Sequence, residues 1–354
     1  MGAYQACELA CLHCRAEAQK KPDPRQLSHE EGKGLIDQIA EMDSPLLVFT
    51  GGDPLMRPDL YELAEYAIHK KGLRLSMTPS ATPLVTKQAI EKAKSVGLSR
   101  WAFSLDGSTP AIHDAFRGTS GSYELTLRAI QYIKEMNIPL QINTTVSHYN
   151  VDDLENMARL MEEFEVALWS VFFLVPTGRG QVDDMITPEE HENVFQWLSV
   201  LSSKVSFDIK TTAAQHYRRV LIQHKKRSKG DQPSVFQDAL NYGKIRIDDG
   251  LGRAPKGVND GNGFVFISHI GDVYPSGFLP IKCGNVREQS LADIYRYSPV
   301  MQQLRNPALY KGKCGVCEFN KICGGSRARA YAVTGDYLES EPFCTYQPKQ
   351  WRKQ

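Results

Sequence analysis

The sequence lacks several features that would assign it to common protein classes. No apolar run approaches the roughly 18 residues that a membrane-spanning helix needs, and Met1–Cys14 shows no basic segment followed by an apolar one, as a signal peptide would. The 42 Lys and Arg residues are balanced by 41 Asp and Glu residues. This balance excludes nucleic acid or an acidic membrane as the main partner. We therefore expect a cytoplasmic globular protein whose 354 residues form one large barrel or two to three domains.

The eight cysteines are absent from most of the chain. Three of them lie between Cys7 and Cys14, the next 268 residues contain none, and five follow from Cys283 to Cys344. A chain without an export signal has little use for disulfides, which favours metal or redox chemistry. Buried structural cysteines would be scattered through the core, so the two groups indicate two ligand sites.

From Leu46 to Val175, short β-rich runs alternate with amphipathic helical patterns. The β-rich runs are 46–50, 73–78, 101–105, 140–146 and 168–175, and the helical patterns lie near 28–42, 58–71, 86–97, 122–137 and 150–166. Repeated strand–helix units predict a parallel sheet with right-handed crossovers. Five or six units predict an α/β fold, a partial (βα)6 TIM-like barrel, in which ligands gather at the carboxyl ends of the strands.

The pattern changes in the second half of the chain. Helices are predicted near 187–204 and 213–228, the second of them basic, and a glycine-rich loop or lid over 229–263. A β-hairpin is predicted over 264–274 and a short helix near 290–297. The predicted domains are a barrel over 1–210, a linker or lid region over 211–262, and a cysteine-rich α+β extension over 263–354.

Cys7, Cys11 and Cys14 follow a Cys-x3-Cys-x2-Cys spacing. Three thiolates so close together can ligate three irons of a cubane cluster and leave the fourth iron open to a substrate or cofactor. A structural zinc site is the alternative, but it takes four ligands and would need one from elsewhere. At the end of a predicted strand stands Gly51-Gly52-Asp53-Pro54, where paired glycines let backbone carbonyls approach an ammonium group and the proline stiffens the turn.

The cysteine spacing together with the Gly-Gly-Asp-Pro turn resembles the radical SAM superfamily. The resemblance implies a 4Fe-4S cluster at the three cysteines, with S-adenosylmethionine (SAM) on the open iron. It also implies that reductive cleavage of SAM yields a 5′-deoxyadenosyl radical, which abstracts hydrogen from a substrate C–H bond. By the same resemblance, the expected cofactor-binding residues are His13, Gly51, Gly52, Asp53, Pro54, Ser80, Ser104, Asp106, Arg117 and Asn143.

Two features depart from the pattern of that superfamily. The residue before the third cysteine is usually aromatic, and here it is His13, whose ring can still lie over the cluster or the adenine. The chain begins six residues before Cys7, so we expect the first barrel strand to be mostly missing. For the polar cofactor contacts, the alternative is an ordinary role in a cap, a turn or a surface salt bridge.

Cys314-x2-Cys317-x5-Cys323-x20-Cys344 supplies four thiolates near the end of the chain. By spacing alone, this set suits a zinc site or a fully ligated 4Fe-4S cluster. The pattern resembles the SPASM/twitch extension of radical SAM proteins, which implies iron. Such an auxiliary cluster would relay electrons or shape the substrate pocket.

A full SPASM domain holds two auxiliary clusters, and this sequence departs from it. Ser276 and Arg327 stand where that domain usually has cysteines, and no cysteine directly precedes the predicted hairpin. We therefore expect two 4Fe-4S clusters in total rather than three. Cys283 belongs to neither ligand set, and we expect it to be a buried or merely free thiol.

Two substrate classes fit the resemblance. The single auxiliary motif and the segment Phe172–Gly180 are similar to radical SAM enzymes of alternative heme biosynthesis, which trim acetate or propionate side chains of tetrapyrroles. Polycarboxylates of this kind call for cationic partners. The candidates are Arg179, His216, Arg218, Arg219, Arg327 and Arg329. The alternative for 216–219 is the solvated face of a helix that continues into the basic run 225–227.

The second class is the peptide maturases, which use the same SPASM domain on ribosomally made peptides. They often carry an N-terminal recognition domain, and we see none in this sequence. A third hypothesis, a non-enzymatic metal-binding protein, predicts no SAM binding. For the enzyme, the implied partners are a tetrapyrrole or peptide substrate and a flavodoxin or ferredoxin as electron donor, without nucleic acid or membrane.

Overall fold

The computed structural model describes residues 1–229 and 257–351. A seven-stranded sheet fills the first part, with its strands side by side in sequence order. The strands are β1 (Gly2–Tyr4), β2 (Leu46–Gly51), β3 (Arg74–Met77), β4 (Arg100–Ser104), β5 (Leu140–Val146), β6 (Leu168–Phe173) and β7 (Asp208–Thr212). Every neighbouring pair is parallel, which confirms the predicted α/β partial barrel.

Helices connect the strands. They are α1 (His29–Met42), α2 (Leu60–Glu65), α3 (Lys87–Ser95), α4 (Pro110–Arg117), α5 (Ser122–Glu135), α6 (Leu154–Glu163), α7 (Pro188–Leu201) and α8 (Tyr217–Lys229). Local sequence explains several starts: Ser28 with Glu31 caps α1, and Thr187 with Glu190 caps α7, each as a reciprocal capping box. Within the described residues, none of the helices has the length and apolar character to cross a membrane.

The first strand is present, and the expectation that it would be mostly missing is wrong. β1 has 3 residues, all buried, and it pairs with the end of β2. The Met1 amino group donates a hydrogen bond to the Val48 carbonyl at 3.0 Å. The short strand therefore extends the sheet beyond β2, and within the described residues the barrel sheet has seven strands rather than the predicted six.

The two faces of the sheet differ in chemistry, because side chains alternate along each strand. Trp101, Phe103, Ile142 and Trp169 are 0% exposed on the face that packs against the helices. Many side chains on the opposite, inner face are polar. They include Ser76, Arg100, Ser104, Gln141, Asn143, Thr145, Ser170, Asp208 and Lys210. The inner face is therefore suited to a polar ligand.

The C-terminal part is a small α+β unit. Its strands β8 (Phe266–Ile267), β9 (Asp272–Tyr274) and β10 (Gly284–Asn285) form an antiparallel sheet in the order β10-β9-β8. Its helices are α9 (Leu291–Tyr297), α10 (Pro299–Leu304), α11 (Gly312–Gly315) and α12 (Arg327–Thr334). The predicted hairpin and the short helix that follows it are confirmed. Most of the predicted lid lies outside the described residues, and the domain boundaries stay predictions.

Candidate active site

Residues 5–19, which we call the cysteine loop, lie against the segments that follow the strands. Cys7 Sγ is 3.2 Å from Ser80 Oγ, in the segment after β3. Cys11 Sγ is 3.6 Å from Arg117 Nη1, at the end of α4. Both thiols are buried. The loop is therefore at the carboxyl ends of the strands, where a barrel of this kind binds its ligands.

Two glycines allow other segments to contact the backbone of the cysteine loop. A Cβ on Gly52 would lie 2.2 Å from the Gln5 carbonyl oxygen. A Cβ on Gly178, where φ is +61°, would lie 2.5 Å from the Cys14 carbonyl oxygen. Both distances are too short for any side chain, so only glycine fits at these positions. The Gly-Gly-Asp-Pro turn thus supports the cysteine loop directly, a role that sequence reasoning missed.

Asp53 organises that turn from within. One carboxylate oxygen accepts a hydrogen bond from the Leu55 N–H at 3.1 Å, and the other accepts one from the Thr82 hydroxyl at 3.1 Å. The side chain is completely buried, and burial raises the pKa of the carboxyl group to about 6. The hydroxyl of Ser80 donates to the Gly52 carbonyl at 3.4 Å, which joins the turn to the segment after β3.

Asp106, directly after β4, forms an ion pair with Arg117. Arg117 Nη2 is 2.5 Å from Asp106 Oδ2, and their side chains are 12% and 0% exposed. The other Asp106 oxygen accepts a hydrogen bond from the Thr145 N–H at 2.6 Å. The pair holds a guanidinium beside Cys11. A contact from Arg117 to the SAM carboxylate stays a prediction.

Ser104 and Asn143 lie opposite each other on the inner face, as partners in β4 and β5. The Gln141 side chain donates to Asn143 Oδ1 at 2.7 Å. Their position on the inner face fits the predicted cofactor contacts, which stay predictions.

His13 takes the place of the usual aromatic residue by stacking. Its ring lies on Phe116 with centroids 4.0 Å apart and planes 11° from parallel. Burial lowers the pKa of His13 well below its ordinary value, and the charges of Arg117 and Arg179 lower it further. The ring is therefore neutral at pH 7 and serves as a flat, largely apolar surface.

Arg179 is the predicted substrate residue that lies at the cysteine loop. Its backbone N–H donates to the Cys14 carbonyl at 3.1 Å. Its side-chain Nε and Nη2 atoms are buried, and neither finds a hydrogen-bond partner in the part of the chain that the structure describes. Buried guanidinium N–H groups without an acceptor are unfavourable in the absence of a ligand. The geometry therefore indicates a place for an anionic group next to the cysteine loop.

The four C-terminal cysteines line one small cavity, which we call the auxiliary cavity. They are Cys314, Cys317, Cys323 and Cys344. The Gly325 N–H donates to Cys323 Sγ at 3.3 Å, and the Glu341 N–H donates to Cys314 Sγ at 3.3 Å. Burial raises the pKa of the Cys344 thiol to about 11, so a thiolate there needs a compensating cation. Four thiols that line one cavity fit a fully ligated 4Fe-4S cluster.

Four other predicted substrate residues lie in the part of the fold that surrounds the auxiliary cavity. They are His216, Arg218, Arg219 and Arg327, all of them buried. This burial shows that the alternative for 216–219, a solvated helix face, is wrong. Arg219 forms an ion pair with Glu192, and Arg327 donates to the carbonyls of Tyr337 and Glu339. These contacts give the arginines a structural role, and a substrate contact for the four residues stays a prediction.

His216 differs from the neighbouring arginines because neither of its buried ring nitrogens has a hydrogen-bond partner among the described residues. Its ring lines the auxiliary cavity and stacks with His191, centroids 6.0 Å apart. Burial lowers the pKa of both rings well below the ordinary value, so both are neutral. A neutral imidazole carries one N–H donor. Sequence reasoning missed His191 because no motif surrounds it.

Ser276 and Arg327, which stand where a full SPASM domain usually has cysteines, both lie close to Asp260. This buried carboxylate is within hydrogen-bonding reach of the Ser276 hydroxyl and close to the Arg327 guanidinium. It also accepts a hydrogen bond from the Ala328 N–H at 3.1 Å. A polar cluster thus occupies the region where a second auxiliary cluster would need thiolates. Cys283 is a free, half-buried thiol.

Family models match both halves of the chain. The model described as the radical SAM superfamily matches residues 2–161. The SPASM model, described as an iron-sulfur cluster-binding domain, matches residues 259–318.

Individual relatives agree with these matches. AdoMet-dependent heme synthase from Nitratidesulfovibrio vulgaris is 42% identical over 348 residues, which cover 98% of this chain and 91% of that protein. Mycofactocin maturase MftC from Mycobacterium tuberculosis is 27% identical over 352 residues, which cover 96% of this chain and 80% of that protein. SuiB from Streptococcus suis, solved with its precursor peptide SuiA, superposes with a TM-score of 0.69 at 15% identity over 98% of this chain and 75% of that one. The last match shows a shared fold.

The chain therefore belongs to the radical SAM superfamily, in the branch that carries a SPASM-type auxiliary domain. It is an enzyme whose cofactors are SAM and two 4Fe-4S clusters, so the zinc alternatives and the non-enzymatic hypothesis are wrong. Over nearly its whole length it is similar to the AdoMet-dependent heme synthases.

Proposed function

We propose that this enzyme modifies the carboxylate-bearing side chains of an iron tetrapyrrole. The 42% identity to an AdoMet-dependent heme synthase over 98% of the chain supports this substrate class. The observation that carries the proposal is Arg179, whose buried donors lack a partner among the described residues beside the cysteine loop. A guanidinium binds a carboxylate through two parallel hydrogen bonds, which fits a polycarboxylate substrate.

Cys7, Cys11 and Cys14 are the proposed ligands of the SAM-binding cluster. When bound, SAM and this cluster supply a 5′-deoxyadenosyl radical that abstracts hydrogen from the substrate. The chain itself provides positioning. Asp106 holds Arg117 next to Cys11, and the stacked rings of His13 and Phe116 close one side of the cysteine loop to water.

The four cysteines of the auxiliary cavity are the proposed ligands of the second cluster. Four thiolates leave no open iron, so we propose that this cluster relays an electron rather than binds SAM. A flavodoxin or ferredoxin is the proposed electron donor. Arg327, with Nη2 3.6 Å from Cys314 Sγ, would offset part of the negative charge of the thiolates.

Modification of a ribosomally made peptide is the second candidate function. The 27% identity to mycofactocin maturase over 96% of the chain favours it. The two candidates share the radical chemistry and differ in the molecule that stimulates SAM cleavage. Release of 5′-deoxyadenosine therefore separates them.

The test uses anaerobically reconstituted protein with SAM and dithionite, assayed with iron coproporphyrin III, with siroheme and with neither. We expect one tetrapyrrole to stimulate 5′-deoxyadenosine release. Arg179→Gln should raise the tetrapyrrole concentration needed for half-maximal stimulation by about tenfold or more, since it removes a charged hydrogen-bond donor. Arg128→Gln, at an exposed position of α5, is the control. Release of 5′-deoxyadenosine that neither tetrapyrrole stimulates would contradict the proposal and favour a peptide substrate.

A further inference from the structure

Two phenylalanine rings meet where the barrel joins the C-terminal part. Phe172 stands near the end of β6, two residues after Ser170 and therefore on the same inner face of the strand. Its ring packs against that of Phe278 in the C-terminal part, with centroids 6.1 Å apart. Both residues are half-buried, so part of each contacts solvent. The carboxyl end of the inner face thus has an aromatic surface at this junction.

Arg15 brings a positive charge to the same junction. It directly follows Cys14 in the cysteine loop, and its guanidinium carbon lies 5.6 Å from the centre of the Phe278 ring and 4.5 Å from the centre of the Phe266 ring. Such cation–π contacts attract the charge of a guanidinium, but a ring face provides no lone pair for its N–H groups. The two rings therefore position Arg15 and leave its hydrogen-bond donors unused.

Most of the Arg15 donors also lack an acceptor elsewhere. Nη1 donates to the Gly277 carbonyl at 3.4 Å, which is a long hydrogen bond. Within the part of the chain that the structure describes, this is the one hydrogen bond of the side chain, and no carboxylate pairs with it. A guanidinium has five N–H donors. Because Arg15 is half-buried, the others are left for solvent or for a ligand that contacts the junction.

Gly277 leaves room for this guanidinium. A Cβ at Gly277 would lie 2.6 Å from Arg15 Nη1 and 2.7 Å from Arg15 Cζ. Both distances are far below the 3.5–4.0 Å or so of a favourable contact, so a side chain here would displace the guanidinium. Gly277 does not have a positive φ, and its backbone would accept alanine. The position of Arg15 can therefore be changed without changing a charge.

We propose that Arg15 binds a second carboxylate of the substrate, at the junction of the barrel and the C-terminal part. The proposal rests on the proposed function, because a tetrapyrrole carries carboxylates on several edges. Arg15 and Arg179 are both joined to Cys14, the first by sequence and the second by its backbone hydrogen bond. Arg15 lies against the C-terminal rings, and Arg179 lies close to His13. Two carboxylates of one ligand would thus bind on two sides of the loop, and the half-buried phenylalanine rings would contact its flat apolar part.

The test is an absorbance titration of the reconstituted protein with iron coproporphyrin III under anaerobic conditions. Arg15→Met should weaken binding by about tenfold or more, because a charged hydrogen bond is lost. Arg296→Met, at an exposed position of α9, is the matched control and should bind as the unaltered protein does. Iron content and SAM affinity of each variant show whether both cysteine sites are retained.

Gly277→Ala tests the position of the guanidinium separately from its charge. It should weaken binding by about threefold or more, because part of the charged hydrogen bond is lost when Arg15 is displaced. In the Arg15→Met background the same alanine should have no further effect, since the two substitutions act on one contact. Gly277→Ala leaves the cysteine loop unchanged. Its affinity therefore decides the question if Arg15→Met holds fewer than about eight irons.

Binding by the unaltered protein tests the function on which the inference rests, and failure to bind the tetrapyrrole would overturn that function. Tight binding by the unaltered protein, with equally tight binding by Arg15→Met, would overturn the assignment of Arg15 alone. The guanidinium would then serve only to join the cysteine loop to the C-terminal part. A loss of affinity in both single variants, without a further loss when they are combined, supports the inference.

Discussion

Arg329 and Glu341 form an ion pair at 3.3 Å, and both side chains are 0% exposed. Arg329 Nη2 also donates to the carbonyls of Phe173 at 3.2 Å and Leu174 at 3.3 Å, where β6 ends. One guanidinium therefore joins α12 of the C-terminal part to the barrel strand that leads to Arg179. The two cysteine sites are held in one arrangement by this contact.

Glu341→Gln should destabilise the protein strongly, because it leaves the buried Arg329 guanidinium without its counter-charge. The expected loss in the free energy of unfolding is about 3–5 kcal/mol. Glu135→Gln is the control, since Glu135 pairs with Lys87 at the surface with side chains 40% and 52% exposed, and should cost about 1 kcal/mol or less. Denaturant unfolding of the apo proteins gives both values. Equal losses would show that the buried pair contributes no more than an exposed one.

Gly52→Ala should displace the cysteine loop, because the new Cβ would lie 2.2 Å from the Gln5 carbonyl oxygen. We expect the reconstituted variant to hold about four irons rather than about eight, since only the auxiliary cluster would form. Gly34→Ala is the matched control, because nothing lies within 4 Å of a Cβ at that position in α1. Iron analysis after anaerobic reconstitution checks the prediction. A full iron complement in Gly52→Ala would contradict the role given to this glycine.

Asp53→Asn should change how stability depends on pH. The pKa of Asp53 is raised from 3.8 to about 6 by burial, so in the folded state its proton is held more tightly than in the unfolded state. As the pH rises from about 4 to about 6, this group should therefore lower the free energy of unfolding of the apo protein by about 3 kcal/mol. The asparagine variant keeps the oxygen acceptor and should lack this fall.

The measurement is thermal unfolding of the apo protein at several pH values, with Asp183→Asn at an exposed position as the control. Asp53→Asn should be at least as stable as the unaltered protein at pH 7. A variant clearly less stable at that pH would mean that the charge, rather than the acceptor, holds the turn.

His216→Leu should lower the midpoint potential of the auxiliary cluster, because a hydrogen-bond donor facing the cluster stabilises its reduced form. The potential of the SAM-binding cluster should not change. A redox titration followed by electron paramagnetic resonance measures both clusters in one sample. His69→Leu, at an exposed position, controls for loss of a histidine. An unchanged auxiliary potential would exclude a contact between His216 and the cluster.

Local motifs and periodicity predicted the alternating strands and helices and the two groups of cysteines. β1 was missed because a strand of 3 residues is too short to show a hydrophobic period. The contact between Gly52 and Gln5 depends on how the cysteine loop crosses the sheet, which no local pattern contains.

Long-range packing also determines which residues are buried around the auxiliary cavity. The basic sequence of α8 suggested a solvated helix, but Arg218 and Arg219 are buried by contacts with distant segments. The inner-face position of Lys210 follows from the register of β7 against β6, which is likewise set by tertiary structure.

The most direct test of the tetrapyrrole assignment follows the abstracted hydrogen. Iron coproporphyrin III with deuterium on its propionate side chains is incubated with the reconstituted enzyme, SAM and reductant, and 5′-deoxyadenosine is analysed by mass spectrometry. Our account predicts that 5′-deoxyadenosine gains one deuterium per turnover and that Cys11→Ala gives none. Unlabelled 5′-deoxyadenosine, released at a rate that the tetrapyrrole does not change, would contradict it.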